Sequence, residues 1–270
     1  MSLRTSLEFP EGHGDFKLIS SDGVVLHFPK FLLSYQSPVF EGMFAACSPN
    51  AASSHELQLT EDSDTLDCFL RYLDPKKKFV PPKINLVEPL LEASRKYDVP
   101  RITEWWEEQM MTRWKGVPAE TEEISRPIEC LAIASRFNLD SLARVVLREL
   151  IKAPITDLKS DVSFESRMFT HLILLRANRI GWFDNKVASY LNVTPLVNCP
   201  SSNYHQLMHR ALMAVVREFH QEPSWKTINR HLNDWTCPCR HFQGSQEVFN
   251  SWKGETEALE AEIPELPSRG

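Results

Sequence analysis

The tightest grouping of metal-ligating side chains in the chain is Cys237-Pro238-Cys239-Arg240-His241. Two thiolates two residues apart and an imidazole two further on would supply three zinc ligands if the segment curls, with Cys199 or His231 as a fourth. Residues i and i+2 do not share a helix face, so convergence requires non-helical backbone, which Pro238 favours. Against a metal, CxC is a weaker spacing than paired CxxC, and free cysteine commonly packs as a small apolar side chain. The expectation is therefore no metal and no cofactor; Cys199, Cys237, Cys239 and His241 are the candidate ligands if one is bound. His205 and His209 stand at i and i+4 on a helical stretch, but Gln206 occupies the general-base position of HExxH, so a metalloprotease is excluded. With nine glycines, neither GxGxxG nor GxxxxGK[ST] occurs, and no GxSxG is present. No carboxylate pair is singled out by spacing. The chain reads as non-enzymatic, the rival reading being a metal-dependent regulator or enzyme built on the cysteine cluster.

Composition narrows the partners. The net charge is −6, against the basic excess that phosphate neutralisation needs, so nucleic acid is not expected. The one tight basic run, Lys76-Lys77-Lys78, reads as a solvated loop. No apolar stretch approaches the ~18 residues of a membrane span. The N-terminus lacks a signal-peptide core, so the six cysteines read as reduced thiols in a cytoplasmic or nuclear protein.

The elements that would carry any site fall into two parts. Phe16, Leu18, Val24, Leu26 and Phe28 alternate around Ser21-Asp22-Gly23, a hairpin signature in which Asp-Gly tolerates positive φ. Pro29 suits the first turn of a short helix, and Ser37-Pro38 pairs an N-cap residue with an N1 proline. Leu57-Gln58-Leu59 reads as a third strand. Ser63 reads as the cap of a helix carrying Leu66, Phe69, Leu70 and Leu73. Two further helices follow, near 85–97 and 101–114. Gly116 to Ser125 is polar, contains Pro118, and reads as the boundary between domains at 1–117 and 126–270. Beyond it the period is helical: Leu139, Leu142, Ala143, Val146, Leu150 and Ile151 form one stripe, Met208 to Phe219 another, and Phe249, Trp252, Leu259 and Ile263 a third. No internal repeat is evident.

The run Asp15-Phe-Lys-Leu-Ile-Ser-Ser-Asp22-Gly23, then Lys30-Phe-Leu-Leu33-Ser-Tyr-Gln-Ser37-Pro38-Val39-Phe40-Glu-Gly-Met43-Phe44, resembles the BTB/POZ signature. Glu56 to Leu59, Thr65 to Leu73 and Leu90 to Val99 continue the family's order, so the likeness covers roughly 15–114. Ile133 to Leu139, Leu142-Ala143 and Pro154 to Asp157 are similar to the C-terminal halves of fungal BTB proteins. The resemblance implies an α+β domain, a small three-stranded sheet packed with helices, followed by an all-helical domain. It also implies a protein-interaction adaptor, with Asp15 and Lys30 as a charged pair kept close together. Phe44, Trp105 and Trp106 are the candidate partner anchors; adjacent tryptophans point about 100° apart, so one can enter the core while the other faces outward. Only 14 residues precede Asp15, which predicts a monomer or weak self-association rather than a strand-swapped dimer. Ala45-Ala46-Cys47-Ser48-Pro49 stands where the family's ubiquitin-ligase adaptors carry a hydrophobic-x-acidic element, which argues against a cullin-type scaffold as partner.

Overall fold

In a computed structural model the chain divides into two compact units, residues 1–124 and 125–270. The structure describes residues 3–46, 56–77, 79, 83–114, 127–158, 166–193, 202–232 and 241–267. The boundary expected at 116–125 lies outside the described residues.

The sheet of the first unit has four strands rather than three, in the order β1 (Arg4–Thr5), β3 (Val24–Phe28), β2 (Phe16–Ile19), β4 (Glu56–Gln58). β2 and β3 form the expected antiparallel hairpin, with Phe16 opposite Phe28 and Ile19 opposite Val25. Gly23 sits at φ +79°, the left-handed conformation the turn requires. β4 joins β2 in parallel, and β1 joins β3 in parallel. The unexpected strand is only Arg-Thr, too short to show alternation; it forms because the leader folds back along the edge of β3. Phe9 anchors that leader in the core, and its carbonyl accepts the His27 amide at 2.9 Å. Gly14 lets it pass the end of the hairpin, since a Cβ there would lie 2.0 Å from the Phe28 carbonyl carbon. Lys77 is not free in solvent: its Nζ lies 3.1 Å from the Glu8 carboxylate and 4.6 Å from the Phe9 ring centroid.

Five helices cover the sheet: α1 (Lys30–Gln36), α2 (Pro38–Ala46), α3 (Ser63–Leu73), α4 (Ile84–Lys96) and α5 (Pro100–Trp114). Ser37 caps α2 as expected, its hydroxyl accepting the Phe40 amide. The cap of α3 is one residue earlier than expected. Asp62 accepts the Thr65 amide at 2.8 Å, while the amide and hydroxyl of Ser63 are held by the Asp22 carboxylate from the hairpin turn. Leu18, Leu26, Leu33, Phe40, Leu66, Phe69 and Leu70 fill the core. Tyr97 closes it, stacked on Phe40 with centroids 4.6 Å apart.

The regular elements among the described residues of the second unit are all helical: α6 (Pro127–Arg136), α7 (Asp140–Lys152), a 3-10 turn (Ile155–Leu158), α8 (Ser166–Val193), α9 (Ser202–Gln221), α10 (Trp225–Leu232) and α11 (His241–Ala261). The stripe on α7 is buried as its period predicts. Phe183, Val187, Tyr190, Leu212, Val215, Phe219, Ile228 and Trp252 form the core of the α8–α11 region. Ile263 is not part of the third stripe: α11 ends at Ala261, and the side chain is exposed.

A local motif does recur. Asp98 has φ +52° between α4 and α5, and Asn138 has φ +59° between α6 and α7. In each case the next residue, Val99 or Leu139, donates its amide back to the carbonyl of Ser94 or Ala134. Val99 and Leu139 are both buried. This is the six-to-one bond of a Schellman stop, with a buried apolar residue just past the left-handed one. Tyr97-Asp98-Val99 and Phe137-Asn138-Leu139 are the matching triplets, and two short matches among unrelated surface residues are too little to register as a repeat in the sequence.

Candidate interaction surface

Asp15 and Lys30 are brought together, but not as an ion pair. The Asp15 carboxylate accepts the backbone amide of Lys30 at 2.8 Å and so supplies the first turn of α1, which Pro29 at the N-cap position cannot cap with its own side chain. The Lys30 ammonium instead lies over aromatic faces, 4.8 Å from the Phe44 centroid and 5.7 Å from that of Phe16. Phe44 is half-buried, edge-on to Phe16 at 4.8 Å and stacked with Phe40 at 6.0 Å. It therefore links the core to the surface rather than projecting from it.

The two adjacent tryptophans separate as helical geometry demands. Trp106 is 2 % exposed, a core residue, which removes it from the partner anchors. Trp105 is half-buried and packs edge-on against Phe79 at 4.6 Å, with Tyr72 at 6.4 Å. The Tyr72 hydroxyl is fixed on the Arg101 carbonyl at 2.8 Å. Tyr72, Phe79 and Trp105 thus form a partly open aromatic patch between α3 and α5.

The most exposed aromatics of the first unit were missed at the sequence level. Phe31 is 69 % and Tyr35 84 % exposed. They stand at i and i+4 on α1, so they share one face, while Leu33 on the other face is buried. The signal was present as apolar residues at i and i+4, but in this seven-residue segment Phe31/Tyr35 and Leu32/Leu33 offer two apolar faces, and the period does not say which one meets the core.

The Glu61–Tyr97–Lys96 group near the core is satisfied locally, whereas the Trp106 Nε1 and His27 Nδ1 are buried without a hydrogen bond. Burial pushes the Glu61 carboxyl up, but hydrogen bonds from Lys96 and from Tyr97 at 2.6 Å outweigh it and hold Glu61 below the usual carboxylate range. Burial, then the bond to Glu61, drives the Tyr97 hydroxyl far above its ordinary value. Burial pushes the Cys68 thiol up to about 11, so it is protonated and a poor nucleophile at neutral pH.

Cys199, Cys237 and Cys239 lie outside the described residues, as does the side chain of His241. His231, considered above as a fourth ligand, lies 2.7 Å from the Glu218 carboxylate. Among the described residues, no three His, Cys, Asp or Glu side chains come together as a metal site, and no helix is long and apolar enough to cross a membrane.

Residues 9–113 match the BTB/POZ domain family. The first unit, a small sheet flanked by helices, is therefore a BTB/POZ domain, a fold that serves as a protein–protein interaction module. No curated protein matches the chain.

Proposed function

We propose that the chain is a non-enzymatic adaptor whose BTB/POZ domain binds a protein partner, or a second copy of itself, through the α1–α2 corner. The carrying observation is the pair Phe31 and Tyr35, two large aromatics left in water on one face of α1. Each forgoes about 1.5–3 kcal/mol of burial free energy in the isolated domain, and a partner covering both recovers it. Lys30 and Phe44 extend the same corner with a cation and a partly open ring. Self-association through this face alone is weak, because a seven-residue helix covers much less than the ~800 Å² per partner of a stable interface. The Ala45-Ala46 departure after Phe44 leaves a cullin-type scaffold poorly suited as the partner. The cytoplasm or the nucleus is the compartment in which such reduced-thiol adaptors act.

The test is a pull-down from native extract read by mass spectrometry, run with the unaltered chain and with Phe31→Glu/Tyr35→Glu. Both side chains are exposed, so the double variant retains the fold. Expected is loss of the captured partner, and of any dimer seen by sedimentation at micromolar concentration. Unchanged capture and unchanged sedimentation would move the binding surface elsewhere, with the Tyr72–Phe79–Trp105 patch next in line.

A further inference from the structure

The second unit contains a cavity of about 420 Å³ between α7, α8 and the segment that follows α11. Its wall on α8 is one helical stripe that includes His171, Leu175, Arg179 and Trp182, spaced by three or four residues. Arg148 of α7 and Leu259 of α11 face it from the other sides. Most of the lining is apolar, and the volume falls in the range of small-ligand sites.

Arg179 makes the cavity unusual. Its side chain is 7 % exposed, yet its Nε and Nη2 carry no hydrogen bond. The nearest carboxylate, Glu260, approaches Nη2 only to 3.3 Å, and the same Glu260 oxygen already accepts the Trp225 amide at 2.7 Å. Arg148 adds a second buried Nε without a hydrogen-bond acceptor; Glu149 stands 3.5 Å away. Neighbouring Arg176 shows what a satisfied buried guanidinium looks like: it donates to the carbonyls of Leu150, Ile151, Ala153 and Gln221. Burial disfavours the charge on Arg179, and Glu260 only partly restores it. A buried cation with donors to spare, beside apolar walls, is stabilised by an anion that brings its own apolar body. The acidic groups at the rim, Glu262 and Glu265, restrict that anion to a single charge, since a second would face them. The Glu265 carbonyl is bonded to His171 at 2.7 Å, which ties the C-terminal segment to α8 beside the cavity.

From these contacts we infer that the cavity of the helical unit binds a small apolar molecule bearing one carboxylate, with the carboxylate on Arg179 and Arg148 and the apolar body against Leu175, Trp182 and Leu259. The site is independent of the partner surface on the BTB/POZ domain. It is read by calorimetry on the full chain with decanoate as probe and decan-1-ol as its uncharged counterpart. Expected is one decanoate per chain with a dissociation constant below about 1 mM, and decan-1-ol at least about tenfold weaker, the scale of a lost charged hydrogen bond. Arg179→Gln weakens decanoate by a similar factor and leaves decan-1-ol unchanged. Leu175→Trp, which fills the cavity from a half-buried position, removes both. Should Arg179→Gln fail to fold, the comparison of acid and alcohol on the unaltered chain still decides. Equal affinity for acid and alcohol, decanoate binding that survives Leu175→Trp, or no binding up to about 1 mM would overturn the assignment.

Discussion

Replacing Ser37 by Ala tests how the first helical layer is tied to the rest of the BTB/POZ domain. The side chain is fully buried and its hydroxyl has two roles: it accepts the Phe40 amide at 3.2 Å, capping α2, and it donates to the Tyr97 carbonyl where α4 ends. Loss of the cap costs about 1 kcal/mol. Leaving the Tyr97 carbonyl buried without that donor adds about 1–3 kcal/mol. The sum, about 2–4 kcal/mol, corresponds to a roughly 30- to 700-fold larger opening equilibrium constant. Amide hydrogen exchange read on peptides covering α2 and the end of α4 measures this within the first unit. Ser37→Gly separates the two roles, because glycine is an adequate N-cap that loses only a few tenths of a kcal/mol. If the Tyr97 bond carries most of the effect, Gly destabilises nearly as much as Ala. A Gly variant close to the unaltered protein beside a strongly destabilised Ala variant would refute the reasoning, and so would an Ala variant costing less than about 1 kcal/mol.

Cys68, with its thiol raised to about 11, resists iodoacetamide at pH 7.5 in the folded protein and reacts only under denaturant; equal rates in both states would contradict its burial. The Glu61 carboxyl is depressed in the fold relative to its ordinary 4.5, so its contribution is present above that value and is lost as pH falls through the lower folded value; Glu61→Gln flattens the acid limb of stability measured by urea midpoints between pH 6 and 3. Arg176→Met strips the donor from carbonyls at the ends of α7 and α9 and destabilises the helical unit by about 3 kcal/mol, read as faster exchange in those two helix ends but not in the first unit.

Local chemistry is what was legible in the residues. The hairpin around Asp22-Gly23, the Ser37-Pro38 helix start and the α7 stripe follow from backbone preference and period, which need only near neighbours. The BTB/POZ resemblance was legible for the same reason, since its motifs are short runs in a set order. The displaced α3 cap was not, because the choice between Asp62 and Ser63 depends on Asp22, 41 positions from Ser63, claiming the serine. Trp105 and Trp106 show the limit on the candidate surface: the helix period says that they part, but not which one meets the core. The same limit hid Phe31 and Tyr35, apolar residues whose exposure depends on what α1 packs against.

The sequence by itself therefore determined the family of the first unit and, apart from the two-residue strand β1, the order of its elements, because these rest on contacts close along the chain. The tertiary structure alone decided that Arg4-Thr5 pairs beside β3, that Asp15 bonds the Lys30 amide rather than its ammonium, and that Arg179 stands buried beside a cavity with donors unfilled. Each of those depends on atoms brought together from distant positions or on space left between helices, and neither distance nor empty volume is written in the order of residues.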